Sequence, residues 1–416
     1  MSSPRPSVLA LVAVVAAILG GTTALALGKA TGWTDSGSET VLVPVRTGGG
    51  ENDGQGVSST GPRESDARPL TGNGFDPARI YQARSSGVVT IYALFGTHIQ
   101  DGSGGTAQGS GFVVSPDGYI LTNSHVITTA SESTPEETPE VADTVYVEFR
   151  SGERVSAEVV GFDPFDDVGL LKVDPAEQPL EPVPLGDSSA VTVGDPVAAI
   201  GSPFGQTTSL SVGVVSATER SIASLTSTFD LVDAIQTDAP INRGNSGGPL
   251  FDARGRVIGI SAQIRSDSGT AEGVGFAVPI NAAKRSMEQL IATGEVRYAW
   301  VGVSTQTVTP SMAAEFGLGV ERGAAIQRVV EDSPAEAAAL RGGSEEREFE
   351  GIQIRTGGDI IVAIDGEDVS TAEDVVREVS VLLPGDRVVF TVVRDGERLD
   401  VAVELGERPS FVPGEN

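Results

Sequence analysis

The stretch GNSGGPL, residues 244–250, places a serine between glycines immediately before a short apolar segment. A nucleophilic serine needs an exposed hydroxyl and neighbouring backbone N–H groups that converge on one point. Glycines adopt the unusual backbone angles that turn such N–H groups inward. Taken alone, the stretch is equally compatible with a glycine-rich turn that carries an incidental serine. Ser246 is therefore a candidate nucleophile whose partners must lie elsewhere in the chain.

A general base is the first partner required, and the chain contains only two histidines, His98 and His125. Abstracting the proton of a serine requires a base whose pKa is near neutrality. His125 follows a predicted strand in LTNSHV, residues 121–126, whereas His98 lies in a predicted surface loop. His125 is therefore the candidate base.

A carboxylate that orients the histidine is the second partner. Asp167 directly precedes the apolar run VGLLKV, residues 168–173, and is favoured over the nearby alternatives Asp163 and Asp166. The order His, Asp, Ser in a β-rich chain is the chymotrypsin order and differs from the subtilisin and α/β-hydrolase orders. The three residues together make a serine-based catalytic site far more probable than any one of them alone.

Short Val- and Ile-rich runs separated by turns extend over residues 87–279 and predict an all-β barrel or sandwich. The sequence PDG at 116–118 predicts a hairpin turn between two of these strands. Asp76 followed by Pro77 predicts the start of a short helix. A second helix is predicted over 279–293, with Gly294 ending it.

The pattern of predicted secondary structure changes after Trp300. Short strands there alternate with two predicted helices, near residues 334–340 and 371–382. Ser370 or Thr371 can cap the second helix, and a capping box between Ser370 and Glu373 is the favoured start. This pattern predicts a separate α+β domain of about a hundred residues. Within it, the acidic stretch 345–350 is interpreted as a solvated loop rather than a calcium site.

The composition excludes several classes of site. A net charge of −29 without a Lys/Arg cluster disfavours nucleic acid as a partner. The absence of cysteine excludes disulfides, a thiol nucleophile and cysteine-ligated metals. Two histidines cannot supply a multi-histidine metal site. No metal and no cofactor are therefore expected.

Residues 8–27 form an uncharged apolar run long enough to cross a bilayer as a helix. The charge balance on either side places the amino terminus in the cytoplasm and the rest of the chain outside. A cleaved signal peptide, with Ala24-Leu25-Ala26 as the cleavage site, is the alternative. Both interpretations export the remainder of the chain. Residues 34–74 have the composition of a flexible linker.

Six runs between residues 109 and 279 carry a family resemblance: GSGFVVSPDGYILTNSHV (109–126), DDVGLLKV (166–173), GSPFG (201–205), SVGVVSA (211–217), QTDAPINRGNSGGPL (236–250) and GVGFAVP (273–279). They resemble the HtrA (Deg) family of trypsin-like serine proteases. The resemblance implies a double β-barrel, chymotrypsin-like protease domain, assigned to residues 75–295. It implies His125 as general base, Asp167 as its orienter, Ser246 as nucleophile, and an oxyanion hole formed by Gly244, Asn245 and Ser246.

The region after Trp300 resembles the PDZ domain of the same family, assigned to residues 298–407, before a tail at 408–416. The resemblance implies that the terminal carboxylate of a bound peptide is cradled by the N–H groups around Trp300, Val301, Gly302 and Val303. It also implies a peptide groove between the strand near 324–329 and the helix near 371–382.

The resemblance also bears on specificity and activation. Ile241 and Ile264 are expected to line the primary specificity pocket, which would then accept aliphatic side chains. Digestive trypsins have an aspartate before the nucleophile, which pairs with a newly cut amino terminus, whereas this chain has Asn245. Activation by trimming a propeptide is therefore not expected.

The function that follows is an envelope serine endopeptidase, anchored by a membrane segment within residues 1–33. It is expected to cleave unfolded or damaged exported proteins, or a regulatory membrane protein, as a homotrimer whose PDZ domain binds carboxyl-terminal peptides. A PDZ chaperone or adaptor with a largely latent protease site is the main alternative. An esterase-like acyl hydrolase is a weaker one.

Overall fold

The computed structural model describes residues 74–96, 105–130, 139–202, 208–242, 244–262 and 274–410. The predicted membrane segment at 8–27, His98 and nearly all of the predicted linker lie outside the described residues. No helix in the described ranges has the length and apolar character needed to cross a membrane.

The first barrel begins after helix α1, Pro77–Arg84, whose N-cap Asp76 accepts a hydrogen bond from the N–H of Arg79 at 3.0 Å. Its strands are β1 Val88–Phe95, β2 Gly105–Val113, β3 Tyr119–Thr122, β4 Thr144–Glu148, β5 Arg154–Asp163 and β6 Val168–Lys172. They close in the order β1-β2-β3-β6-β5-β4. Helix α2, Ser124–Ile127, directly follows β3. The predicted hairpin turn at 116–118 connects β2 to β3, and Gly118 has a φ of +104° there.

The second barrel comprises β7 Pro196–Gly201, β8 Ser209–Ile222, β9 Leu231–Thr237, β10 Pro249–Phe251, β11 Val257–Ala262 and β12 Gly275–Pro279. They close in the order β10-β11-β12-β9-β8-β7. Helix α3, Ile280–Thr293, follows and ends at Gly294 with a φ of +79°. The predicted double β-barrel is therefore confirmed.

Side chains that alternate between the two faces of a strand fill both the interior of a barrel and the layer between the two barrels. Val113 and Ile120 belong to the core of the first barrel. Their neighbours Phe112 and Leu121 belong to the core that joins the barrels, together with Ile260 of the second barrel. Successive side chains of a strand point to opposite faces, so one hairpin contributes to both layers. The loops that follow β3 and precede β10 thus meet between the barrels.

The second domain is built on a sheet whose main path is β14 Val303–Val308, β15 Gly323–Val329, β18 Ile360–Ile364, β20 Arg387–Arg394 and β21 Glu397–Glu404. Its entry and exit strands, β13 Ala299–Trp300 and β22 Gly406–Glu407, pair with each other, and β19 Glu367–Asp368 pairs with β18. Its helices are α4 Pro310–Phe316, α5 Pro334–Ala337 and α6 Ala372–Ser380. The predicted α+β class of this domain is confirmed.

Two details of these helices differ from the sequence-based predictions. Helix α4 was not predicted, although Thr309 caps it, Pro310 occupies its first turn and Gly317 ends it with a φ of +64°. The capping box of α6 pairs Thr371 with Asp374, not Ser370 with Glu373. The box shifts by one residue because a carboxylate oxygen of Asp374 accepts the backbone N–H of Thr371 at 2.8 Å.

The acidic stretch 345–350 is not a loop, because it forms the first strand of a hairpin and the start of its turn. Its strands are β16 Glu345–Phe349 and β17 Ile352–Thr356. Phe349 and Ile354 are buried against Met312 and Phe316 of α4. The alternation of apolar and polar residues in the second strand, IQIR at 352–355, was the available signal for the hairpin.

A buried ion pair in the second domain supports a stability prediction. Asp359 is fully buried, and both of its carboxylate oxygens accept from the guanidinium of Arg394, at 2.6 and 2.7 Å. Asp359→Asn is expected to lower the free energy of unfolding of this domain by about 3 kcal/mol, since it leaves a largely buried guanidinium without its counter-charge. Chemical denaturation measures the loss. Glu404→Gln, which breaks the exposed pair with Arg387, is the control and should change it by less than about 1 kcal/mol.

Candidate active site

His125 and Asp167 form a close pair on the first barrel. His125 lies in helix α2, directly after β3, and Asp167 immediately precedes β6. Nδ1 of His125 lies 2.8 Å from Oδ2 of Asp167, and both side chains are about nine-tenths buried, with exposures of 11% and 8%. Strands β3 and β6 are hydrogen-bonded neighbours, which is why residues 42 positions apart in sequence meet.

The pKa of His125 is set by two opposing effects. Burial lowers the pKa of the imidazole, but the charge of Asp167 and the hydrogen bond to it outweigh burial, so the pKa is raised above its ordinary 6.5. The carboxylate therefore stabilises the imidazolium that forms when the base takes up a proton.

Two residues that sequence reasoning did not single out, Asn123 and Ser124, hold Asp167 in place. Its Oδ1 accepts hydrogen bonds from the hydroxyl of Ser124 at 2.8 Å and from the backbone N–H of His125 at 3.0 Å. The amide of Asn123 donates to the backbone carbonyl of Asp167 at 2.8 Å. Asp167 has a φ of +50°, and these contacts hold it in that left-handed conformation. The run Asn123-Ser124 beside the histidine was the available signal.

Ser246 lies in a turn between the barrels and is 3% exposed. Its backbone carbonyl accepts the N–H of Ser110, on β2, at 2.8 Å. Its hydroxyl is buried and forms no hydrogen bond with the described residues. The hydrogen bond from this hydroxyl to Nε2 of His125 is therefore not formed. Nucleophile–base contacts are often looser in the absence of substrate than during reaction.

Ser110 is a further residue that the sequence did not single out. Its hydroxyl donates to the carbonyl of Gly244 at 2.5 Å and accepts the backbone N–H of Ser202 at 2.9 Å. Its backbone N–H also donates to the carbonyl of Ser246. Ser110, a residue of the first barrel, is thus hydrogen-bonded to two segments of the second barrel. Ser110 therefore fixes the turn that carries Ser246 relative to β2, which pairs with β3, the strand before His125.

The glycines of the turn are required by its geometry. Gly247 has a φ of +84°, and a Cβ there would lie 2.1 Å from the carbonyl oxygen of Ser110. Gly244 has a φ of +96°. Of the three N–H groups considered for an oxyanion hole, that of Asn245 donates to the carbonyl of Asn242 at 2.9 Å, so it is already engaged. Gly244 and Ser246 remain the candidates.

Asn245 itself is 4% exposed. Its side-chain amide lies 3.4 Å from the carbonyl of Pro240, and its Oδ1 is buried without a hydrogen bond from the described residues. A Cβ on Gly201 would lie 2.5 Å from that Oδ1. The residue before the candidate nucleophile is therefore packed against β7 and a backbone carbonyl.

Of the two predicted pocket residues, Ile241 packs on the core of the second barrel and Ile264 lies outside the described residues. A Cβ on Gly275 would lie 2.6 Å from Cγ1 of Ile241, so β12 approaches this side chain closely. The side chain of Ile241 is thus placed by the strand that begins at Gly275.

A groove of about 450 Å³ lies between β14 and α6 of the second domain, and residues 221–232 of the second barrel form its other wall. Val303 from β14, Val375 and Val379 from α6, and Trp300 and Val301 all line it. The predicted position, next to the strand near 324–329, is wrong. That strand is β15, which pairs with β14 on one side and β18 on the other and has no free edge, whereas β14 lies at the end of the sheet.

The backbone before β14 is arranged so that its N–H groups are accessible to an acceptor. The carbonyl of Val301 accepts the N–H of Ala335 at 2.8 Å, and that of Gly302 accepts the N–H of Val330 at 2.9 Å. A trans peptide directs its N–H opposite to its C=O. The N–H groups of Gly302 and Val303 therefore point away from these internal partners.

Two family models match the chain. The model of the trypsin-like peptidase domain covers residues 109–260, and that of the PDZ domain covers residues 300–405.

Curated relatives include proteins described as probable periplasmic serine endoprotease DegP-like. The one from Brucella suis is 37% identical over 304 residues, which is 73% of this chain and 53% of the relative. The one from Hahella chejuensis is 39% identical over 304 residues, 73% of this chain and 58% of the relative. The chain thus spans a little over half the length of the curated relatives that it matches.

Solved structures with the same architecture include the HtrA-type protease AlgW with a tripeptide. It is 33% identical, with a TM-score of 0.66 over 80% of this chain and 98% of that one. The serine endoprotease from Yersinia pestis is 27% identical, with a TM-score of 0.56 over 80% of this chain and 98% of that one.

Proposed function

The chain belongs to the HtrA (Deg) family of trypsin-like serine proteases, and from this premise we propose that it is a serine endopeptidase. The observation that carries the proposal is the pairing of Nδ1 of His125 with Oδ2 of Asp167 at 2.8 Å, beside the Ser246 turn. With Nδ1 engaged by the carboxylate, Nε2 is the nitrogen that can take the hydroxyl proton of a nucleophile.

In the proposed mechanism, Oγ of Ser246 attacks the scissile carbonyl as Nε2 of His125 accepts its proton. The N–H groups of Gly244 and Ser246 stabilise the resulting oxyanion. His125 then donates the proton to the leaving amine, which leaves an acyl-enzyme. Water, deprotonated by His125, hydrolyses that ester and regenerates Ser246. Asp167 stabilises the imidazolium in both halves of the reaction.

For substrate selection, we propose that Ile241 and Ile264 line a pocket for aliphatic side chains at the cleavage point. The groove between β14 and α6 would take a carboxyl-terminal peptide as an added strand. Its terminal carboxylate would be accepted by N–H groups in the segment Trp300, Val301, Gly302 and Val303. The valines that β14 and α6 contribute to the groove and the bound peptides of the AlgW structures support this assignment.

For the cellular setting, we propose an exported enzyme of the cell envelope, anchored by a transmembrane helix at residues 8–27 and assembled as a homotrimer. Its substrates would be unfolded or damaged exported proteins, or a regulatory membrane protein. The apolar run at 8–27 and the periplasmic description of the curated relatives support the location. The trimer rests on membership of the family.

The alternative, a PDZ chaperone or adaptor with a largely latent protease site, has one observation in its favour: the hydroxyl of Ser246 forms no hydrogen bond with the described residues. Against it, the carboxylate and imidazole are already paired, and a latent site gives no reason for that arrangement. The endopeptidase is therefore the favoured function.

The proposal is tested with the full chain in detergent micelles and unfolded casein as substrate. A fluorophosphonate probe is expected to form one adduct, on Ser246, and cleavage should fall in proportion to labelling. Undiminished cleavage by a fully labelled enzyme would contradict the mechanism. Cleavage that begins only after a carboxyl-terminal peptide is added would show that the groove controls the active site.

A pH dependence follows from the raised pKa of His125. The imidazolium cannot accept the proton of Ser246, so kcat/KM is expected to fall as the pH decreases through the pKa of His125. Because Asp167 raises that pKa, the midpoint of the acid limb should lie above 6.5. A profile of casein cleavage against pH measures it, and a midpoint below 6.5 would be inconsistent with the observed pairing.

A further inference from the structure

A buried cluster joins the start of the second domain to the turn that carries Asp167. The phenol oxygen of Tyr298, just before β13, lies 2.6 Å from Oδ2 of Asp163 and 2.7 Å from Oδ2 of Asp166. The two carboxyl groups are 0% and 9% exposed, and Tyr298 is 5% exposed. We call Asp163, Asp166 and Tyr298 the acid–tyrosine cluster.

The phenol oxygen of Tyr298 makes two short contacts with carboxyl oxygens, but its own hydrogen can account for only one of them. A phenol carries one hydrogen, so it can donate to only one of the two carboxyl groups. The other contact, at hydrogen-bond distance, requires a proton on a carboxyl oxygen. The two acids therefore share one proton.

The remaining contacts stabilise negative charge on both acids. Oδ1 of Asp163 accepts the backbone N–H of Phe165 at 2.9 Å and that of Asp166 at 3.2 Å, and its Oδ2 accepts the hydroxyl of Ser286 at 2.7 Å. A group that accepts from so many donors is suited to the ionised form. Two nearby cations, Arg285 and Arg408, likewise favour the ionised form of Asp166, so the proton belongs to the pair of acids and not to one of them.

Charged groups from other elements face this cluster. Arg285 of α3, Arg408 after β22 and Asp233 of β9 act on the carboxyl of Asp166. The guanidinium of Arg408 also stacks on the rings of Phe165 and Tyr298, at 5.3 and 4.9 Å from their centres.

The raised pKa values of the two acids agree with a proton that they share. Burial and the neighbouring Asp166 raise the pKa of Asp163 to about 6. Burial likewise raises the pKa of Asp166. Burial also raises the pKa of Tyr298, so its phenol stays protonated while the acids titrate.

We propose that Tyr298 is a positioning residue for Asp167: its hydroxyl, between two acids that share one proton, connects the start of the second domain to the turn that carries the carboxylate. Asp166 is joined to Asp167 by one peptide bond, and Asp167 holds a φ of +50°. A displacement of Asp166 is therefore passed to the carboxylate that orients His125. When the pair loses its proton, one of the two contacts of Tyr298 is lost.

The shared proton is tested without any catalysis, using the full chain with Ser246→Ala. The native acids keep a proton that the unfolded chain releases above pH 3.8, so the stabilisation is present below about pH 4 and is lost as the pH rises to about 6. Asp166→Asn supplies a neutral donor that does not titrate. Its Tm relative to the parent should therefore rise by about 4 °C between pH 4 and 6.

Tyr81→Phe is the matched control, since the hydroxyl of Tyr81 donates to one backbone carbonyl, that of Thr208, at 2.7 Å. It should shift Tm equally at both pH values. A constant difference between Asp166→Asn and the parent would overturn the shared proton.

The positioning role rests on the proposed protease function and is tested by activity in the chain that retains Ser246. Tyr298→Phe is expected to lower kcat about tenfold and to move the acid limb of the pH profile to lower pH, because a displaced Asp167 stabilises the imidazolium less. KM for casein should not change. Tyr81→Phe, which removes a phenol hydroxyl outside the cluster, should retain kcat within about twofold.

Each outcome is decisive. A Tyr298→Phe enzyme with lower Tm but unchanged kcat and acid limb would overturn the positioning role. If Tyr298→Phe does not fold, Asp166→Ala keeps the ring and should give the same shift of the acid limb, and an unchanged limb overturns the proposal. Absence of cleavage by the unmodified chain would refute the protease function, which the Tm comparison does not depend on.

Discussion

Replacing Ser246 with alanine is expected to lower kcat for casein cleavage by about 10⁴- to 10⁶-fold, with the fold unchanged. The serine hydroxyl is the atom proposed to form the acyl-enzyme, and no neighbouring residue can supply a thiol or a second base, since the chain has no cysteine and two histidines. The residual rate would come from substrate binding and the oxyanion N–H groups alone.

The structure predicts that this change costs little stability. The hydroxyl of Ser246 forms no hydrogen bond with the described residues, so removing it leaves no described partner unsatisfied. The backbone contact from the N–H of Ser110 to the carbonyl of Ser246, 2.8 Å, is retained by alanine. Thermal unfolding should therefore give a Tm close to that of the unmodified chain.

Ser216→Ala, which truncates an exposed serine of β8 in the same way, is the matched control and should leave kcat unchanged. Steady-state cleavage and thermal unfolding are measured on all three proteins. Equal cleavage by Ser246→Ala and the unmodified chain would mean that the nucleophile lies elsewhere or that the activity comes from a contaminant.

Asp167→Asn is expected to lower kcat by about 10⁴-fold, through the tautomer of His125. Oδ1 of Asp167 faces two donors, the hydroxyl of Ser124 and the N–H of His125. An amide must place its oxygen toward these donors, so its NH₂ group faces Nδ1 of His125. Nδ1 then has to accept a hydrogen bond, and the imidazole proton moves to Nε2. An imidazole protonated at Nε2 cannot take the proton of Ser246.

The same substitution should move the acid limb of the pH profile to lower pH. Asp167 raises the pKa of His125 by its charge and by its hydrogen bond, and both are lost with asparagine. Asparagine tolerates the left-handed φ of +50° at this position, so the backbone of the turn is expected to persist.

The pH profile of kcat/KM for Asp167→Asn, compared with Asp166→Asn, measures the effect. Asp166 is also buried but touches Tyr298 rather than His125. If the two variants lose the same activity, then Asp167 has no special part in orienting the base.

Much of the site could be predicted from sequence because its signals are local. The glycines around Ser246 mark a turn that requires unusual backbone angles, and Gly244 and Gly247 have positive φ. The alternation of apolar residues predicted most strands within a few residues, and Asp76 and Gly294 bound helices as expected. The missed helix α4 also carried local signals in Thr309 and Gly317.

Other features could not be predicted, because they depend on which elements become neighbours. The proposed peptide groove lies beside β14 rather than β15, because the order of strands in the sheet decides which strand has a free edge. The carboxylate of Asp167 is held by Ser124, and the nucleophile turn by Ser110, through contacts between strands far apart in sequence.

The amino-acid sequence by itself determined the chemistry and the class of this protein. The kinds of residue at 125, 167 and 246, their order, and the lack of cysteine are properties of a list of residues, so they need no folding to be recognised. Only the tertiary structure decided that Tyr298, 131 positions beyond Asp167, contacts the turn before it. Packing brings such groups into a buried site, where each hydrogen bond and each proton must be accounted for because water is not there to replace it.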